Sequence, residues 1–469
     1  SMATPIPTNQ CEFTLSEVIE ATRGKLVRGN STAPVVEVTR GVSIDTRSLK
    51  PGAIFVALHG ESSDGHDYLQ QAAACGAAAA IVANGRRHPD LDCIEVGDTL
   101  DALGRLARRH LARTRSARAL PLIAIGGAVG KTTTKELTAA VARALFGSTL
   151  STPGNLNNLI GVPMTIFTLS AEHRAAVLEC GTNTRGEIPK LAHEHSEGLG
   201  TLDDIADEEA ALFSTATRYA VASADEAMVL ARVPKHLRRI TFGKSLDADV
   251  RLAARSAGAR SRIRIEIAPA MLAAGVEPFI ETEIALLGEA AALNCAAAIA
   301  AVTAMRASPL ESRELAAIAG ALTGVLPVAG RLASTSINGI IVIDDSYNSN
   351  PRSIRAALAA AREVADGLGA RLVIAMGDML ELGELSAAAH HEAIRDVMLA
   401  RPAAFVAVGP EMNSACAAIS DDAAGAAIVT APDSIAAARI VAGLVGPGDV
   451  LLVKGSRGIA MERIFERLG

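Results

Sequence analysis

The chain has 469 residues, 49% of them hydrophobic and 20% charged, enough for two to four globular domains with several cores. A formal net charge of -6 provides no global basic field to attract nucleic acid or anionic membrane, so no nucleic-acid partner is expected. Six cysteines form no CxxC pair and read as free thiols, no charge-free apolar run of about 18 residues is present, and no signal-peptide pattern opens the chain. A cytoplasmic protein with no membrane insertion is the expectation.

In chain order, Thr14 to Glu17 fits a capping box opening a short helix that Gly24 could end. Gly41 to Leu58 reads as two short strands around a turn at Lys50-Pro51-Gly52. Tyr68 to Ala74 reads as helix and Ala79 to Ala83 as a buried strand. The Arg-rich stretch from Arg108 to Arg118 reads as a solvated helix end and linker rather than an anion site. Leu120 to Ile125 is a compact apolar run, followed by a glycine-rich turn and a helical pattern from Thr132 to Leu145. Ala175 to Leu178 and Tyr219 to Ala222 read as strands, and Ala291 to Ala304 as an alanine-rich buried helix. From about Pro327, strands (Ile340 to Asp344, Leu372 to Met376, Ala404 to Val408, Val450 to Val453) alternate with helices (Pro351 to Ala365, Ala387 to Ala400, Ser434 to Val445). That alternation predicts a largely parallel, doubly wound sheet.

The strongest chemical signal is Gly126-Gly127-Ala128-Val129-Gly130-Lys131-Thr132-Thr133 between a strand and a helix. Phosphates need backbone N–H donors close enough to touch them, and glycines permit that approach and the required dihedrals. The helix that follows points its positive end at the anion. Lys131 can reach the outer phosphates and Thr132 can ligate Mg²⁺. The spacing is Gly-x-x-Gly-Lys-Thr-Thr, with Ile125 standing where the usual first glycine would be.

This shortened loop resembles that of the Mur ligase family of cell-wall enzymes, and further strings agree in order. Gly154 to Pro163 (GNLNNLIGVP), Glu179 to Ile188 (ECGTNTRGEI), Asp344 to Pro351 (DDSYNSNP), Gly377 to Glu384 (GDMLELGE) and Lys454 to Arg457 (KGSR) resemble the branch that adds D-alanyl-D-alanine to a UDP-linked muramoyl tripeptide. Ser43 to Arg47 and Asp64 to Asp67 match as well. The resemblance covers nearly the whole chain. It implies an α/β fold of three parts: residues 1–112 holding the UDP-substrate, a central P-loop ATPase domain over 113–326, and a doubly wound α/β domain over 327–469 with dipeptide and nucleotide contacts.

It also implies a chemistry. ATP phosphorylates the terminal carboxylate of UDP-N-acetylmuramoyl-tripeptide, the amine of D-alanyl-D-alanine attacks the acyl phosphate, and ADP and phosphate leave. ATP and Mg²⁺ are the implied cofactors, and a monomer is expected. By the same resemblance, Lys131, Glu179, His195 and Lys454 serve catalysis, and Thr132, Glu179, His195 and Glu209 hold metal. Gly127 to Thr133, with Asn294, Arg331, Asp345, Asn348 and Asn350, contact nucleotide; Ser43, Asp45, Arg47, His66, Asn155, Asn158 and Arg457 contact the substrates. Each has a structural alternative: a lone histidine is often a core residue, Asn and Asp before proline form turns, and a basic loop is often a solvated face.

Four departures stand out. Glu209 occupies the place of a lysine that the family carbamylates, and the join from Leu191 to His195 lacks about a dozen residues. Ala290-Ala291 replaces a His-Asn pair, and Ala128-Val129 replaces a polar pair in the loop. They leave a second reading open, a relative that binds nucleotide or UDP-substrate without ligation.

Overall fold

A computed structural model describes residues 4–30, 34–60, 63–127, 129–181, 210–258, 260–380, 382–417 and 426–468. These form two compact units, one of residues 1–135, 142–220 and 228–238, the other of residues 136–141, 221–227 and 239–469.

In the first unit, helix Leu15–Thr22 begins where the sequence places it. Thr14 accepts the Glu17 amide at 3.1 Å while the Glu17 carboxylate accepts the Thr14 amide at 2.9 Å. It ends one residue before expected, with Arg23 taking the left-handed conformation ahead of Gly24. A five-stranded sheet has the order Lys25–Val27, Cys93–Val96, Ala79–Ala83, Ile54–Val56, Val42–Ser43. Its first pair is antiparallel and the rest are parallel. Helix Thr99–Ala117 takes in most of the arginine-rich stretch, and its apolar stripe (Leu103, Leu106, Ala107) joins Phe13, Val18, Ile54 and Ile81 in one core. The short helix Gly161–Ile166 adds Val162, Met164 and Ile166 to that core. A second, parallel sheet of three strands has the order Leu122–Ile125, Ala175–Glu179, Thr149–Ser151. Helix Lys131–Phe146 follows the first of these strands.

The second unit contains several strands that the sequence reading missed. Strands Arg238–Gly243, Val250–Ser256, Ser261–Ile267 and Phe279–Ile284 extend Tyr219–Ser223 into a five-stranded sheet in chain order. Its last three strands form an antiparallel meander. Ser261–Ile267 alternates buried and outward-facing residues, with isoleucines at 263, 265 and 267 turned inward, the period of a half-buried strand.

Beyond it, a six-stranded sheet has the order Ala333–Ile337, Ile340–Asp345, Val450–Lys454, Leu372–Gly377, Ala404–Val408, Ala427–Ala431. Only the first pair is antiparallel. Helices Pro351–Leu368 and Ser386–Leu399 contribute to the core on one face, and Ser434–Leu444 to the core on the other. This is the expected doubly wound layer. The last strand inserts between Ile340–Asp345 and Leu372–Gly377, so strand order departs from chain order there, and a crevice outside the carboxyl ends of such strands is where open α/β sheets bind ligands. Asp345, Lys454 and Gly377 stand at those ends.

The six cysteines are free, as expected, and burial pushes the thiols of Cys180 and Cys295 up to about 12. Among the described residues no helix is long and apolar enough to cross a membrane.

Candidate active site

The loop after strand Leu122–Ile125 adopts the conformation its glycines allow. Gly127 has φ +123° and Gly130, at the start of the helix, has φ +81°, both costly for other residues. No side chain caps this helix, which leaves the donors of its first turn for a ligand. Lys131 Nζ donates to the Gly127 carbonyl at 2.6 Å, so the lysine folds back over the loop. Val129 is exposed at the loop tip.

Glu179 ends the neighbouring strand, in register with Ile125, the last strand residue before the loop. That register carries its carboxylate to the base of the loop, where it is 1% exposed. Its Oε1 accepts from Thr132 Oγ1 at 3.0 Å and from Asn157 Nδ2 at 2.8 Å. Its Oε2 is buried and has no hydrogen-bond partner among the described residues. The backbone N–H of Glu179 donates to Thr152 Oγ1 at 2.9 Å, and the Thr152 carbonyl accepts from the buried Lys135 Nζ at 2.9 Å. Lys135, Thr152 and Asn157 were not picked out from the sequence. The signal for Lys135 is its place four residues after Lys131, on the same helix face.

A buried carboxylate oxygen without a donor is costly. Beside a threonine hydroxyl it is what a hard cation needs, since Mg²⁺ takes oxygen ligands and is held by one or two carboxylates. The residues present therefore fit the implied metal.

Asn155 and Asn158 lie in the loop over 152–160. Asn158 Oδ1 accepts the amides of Ile160 and Gly161 at 3.1 and 2.7 Å, which builds the entry to the following helix. Ser43, Asp45 and Arg47 meet in one turn. The Ser43 hydroxyl donates to the Asp45 carbonyl at 2.9 Å, and the Asp45 carboxylate holds Arg47 through Nη2 at 2.7 Å. That pairing holds the Asp45 carboxyl below the usual range. His66 belongs to a different network: its Nδ1 meets Asp64 Oδ1 at 2.6 Å and its Nε2 accepts the Ala83 amide at 2.9 Å. Both ring nitrogens are thus spent inside the fold. The amide of His66, then its ring, hold the Asp64 carboxyl well below the usual range.

In the second unit, Lys454, assigned to catalysis by the resemblance, is 1% exposed, and its Nζ donates to Asp345 Oδ2 at 2.6 Å and to the Asn348 carbonyl at 2.9 Å. It sits at the end of the central strand Val450–Lys454, buried throughout, so the ammonium has no solvated exit. Lys454→Met should therefore cost about 3–5 kcal/mol in urea unfolding by stranding the Asp345 charge, and Asp345→Asn added to it should restore part of the loss. Asn350 caps helix Pro351–Leu368, its Oδ1 accepting the Ser353 amide at 2.8 Å. Arg331 and Arg457 both lie over the ring of Tyr347, at 4.3 and 5.3 Å from its centroid. Asn294 is half-buried in helix Gly288–Ala304. Ala128, His195 and Glu209 lie outside the described residues.

Known families match along most of the chain: the Mur ligase family catalytic domain over residues 38–110, the Mur ligase middle domain over 125–302, and the Mur ligase glutamate ligase domain over 330–457. The chain belongs to the Mur ligase family. It therefore has the α/β architecture of three Mur ligase domains. Among curated Mur ligases it is 32% identical to UDP-N-acetylmuramoyl-tripeptide–D-alanyl-D-alanine ligase of Escherichia coli, covering 97% of this chain and 98% of that one. It is 28% identical to the ligase of the same name from Bacillus subtilis, covering 95% and 96%. A crystal structure of MurF from Acinetobacter baumannii matches with a TM-score of 0.82 at 27% identity, covering 98% of this chain and 99% of that one.

Proposed function

We propose that the chain is an ATP-dependent ligase that adds D-alanyl-D-alanine to UDP-N-acetylmuramoyl-tripeptide through an acyl phosphate. The observation that carries this is the joining of Lys131, Thr132 and Glu179 at one phosphate-type loop, in a chain matched end to end by ligases of that name. The curated relatives named above are ligases, which supports this reading over the alternative of a relative that binds without ligating.

A carboxylate is a poor electrophile, and phosphorylation gives it a leaving group. Lys131 and the loop amides hold the outer phosphates of ATP, whose oxygens gather charge during transfer. Thr132 Oγ1 and Glu179 Oε2 would hold Mg²⁺, which when bound supplies a hard positive charge against phosphate and carboxylate. The further metal position expected at His195 and Glu209 rests on the sequence resemblance.

The segment 1–112, in which Arg47 is an exposed cation held by Asp45, takes the UDP-substrate; 113–326 takes ATP; 327–469 takes the dipeptide and part of the nucleotide. The three matched family regions fall within those bounds and support the division. In the last segment Asp345 and Asn348 are held by Lys454, and Arg331 and Arg457 supply guanidinium groups for phosphate or carboxylate. The setting is the cytoplasm, and the working form is a monomer.

The test is an ADP-release assay with ATP, Mg²⁺, UDP-N-acetylmuramoyl-tripeptide carrying either common diamino acid, and D-alanyl-D-alanine. Release should require both the tripeptide and the dipeptide. Release at the same rate without the dipeptide would refute the ligase reading.

A further inference from the structure

We infer that Asn157 is a positioning residue that fixes the Glu179 carboxylate so that Oε2 stays available to a cation. The inference rests on the nucleotide and Mg²⁺ reading of the loop given above. A glutamate side chain has three rotatable bonds, and a buried one must be held to present one chosen oxygen. Here Oε1 takes both donors, Thr132 Oγ1 and Asn157 Nδ2, while Oε2 takes none among the described residues. The two donors differ in kind. The threonine hydroxyl turns about one bond and is itself a candidate ligand.

The asparagine is pinned from two sides. Its backbone N–H donates to the Asn155 carbonyl at 2.8 Å, and its carbonyl accepts from the Gly181 amide at 2.7 Å. Gly181, two residues past Glu179, makes room for the amide group. A Cβ there would lie 2.7 Å from Asn157 Cγ and 2.8 Å from Nδ2, closer than real contacts allow. Glu179, Gly181 and Asn157 thus form a small closed set: the strand end carries the carboxylate, the glycine admits the amide, and the amide turns the carboxylate. Groups that orient a metal-binding side chain in this way typically account for about 10- to 100-fold in metal affinity.

The test uses the full chain with ADP and titrates Mg²⁺, and separately Mn²⁺, reading metal-dependent thermal stabilisation and heat of binding. In Asn157→Ala the metal midpoint should rise by about 10- to 100-fold, while ADP affinity in EDTA stays unchanged. Gly181→Ala keeps the asparagine and displaces it, and should move the midpoint in the same direction. Asn157→Gln, which keeps the donor, should recover part of the loss. A role confined to folding would lower the unfolding temperature without metal and leave the metal midpoint alone. A wild-type midpoint in both Asn157→Ala and Gly181→Ala would overturn the inference while leaving the ligase reading intact. A wild-type protein with no metal response in the presence of ADP would overturn both.

Discussion

Lys131→Ala is expected to lower kcat by on the order of 1000-fold, the scale on which a single cation at the transferred phosphoryl group acts. In the fold this lysine makes a 2.6 Å hydrogen bond to the Gly127 carbonyl, a contact whose loss costs only about 1 kcal/mol. Activity and stability should therefore separate: turnover nearly vanishes while the unfolding midpoint barely moves. Lys131→Arg keeps the charge but enlarges the head, and should recover little, because the loop is shaped around a compact ammonium. Turnover near the wild-type rate in Lys131→Ala would remove the loop from the reaction.

Glu179→Gln is the second large effect, with an expected loss of about 100- to 1000-fold in kcat. Glutamine keeps an acceptor for Thr132 Oγ1 and Asn157 Nδ2, so the local frame survives. Its amide group replaces Oε2, the oxygen with no partner among the described residues, and places an unsatisfied donor there at a cost of about 1–3 kcal/mol. The amide is also a poor ligand for a hard cation. The variant should need far more Mg²⁺ for whatever turnover remains. An unchanged Mg²⁺ dependence would show that the unpartnered oxygen is not a metal ligand.

The phosphate loop was legible in the sequence because its chemistry is backbone chemistry: glycine spacing, a preceding apolar run and a following helix are all visible in one dimension. Glu179 came from the family resemblance of its string, ECGTNTRGEI, and the structure adds that its strand pairs with the one before the loop. The rest of that cluster was not. Asn157 lies between Asn155 and Asn158, both singled out for substrate, and nothing in the order of residues says which amide turns toward the carboxylate. In the structure Asn157 does so, and Asn158 builds the next helix. The burial of Lys454 was only partly legible. It closes a strand buried on both faces and is held by Asp345 and Asn348, partners that the order of residues does not give. The four apolar residues before it, Val450 to Val453, were the signal for that burial. The meander over residues 250–284 escaped for a different reason. Its strands carry arginine and glutamate on one face, paired across strands as in Arg264 with Glu281, and the isoleucine alternation beneath is short.

The ligase reading stands or falls on where the substrate oxygen goes. UDP-N-acetylmuramoyl-tripeptide labelled with ¹⁸O in its terminal carboxylate, incubated with ATP, Mg²⁺ and D-alanyl-D-alanine, should give a pentapeptide keeping one labelled oxygen in the new amide. The other labelled oxygen should appear in inorganic phosphate, since the carboxylate takes the phosphoryl group and the amine then expels it. Mass spectrometry of both products reads this directly. One label in phosphate for each pentapeptide formed is the expected result; unlabelled phosphate, or ATP hydrolysis without pentapeptide, would contradict it.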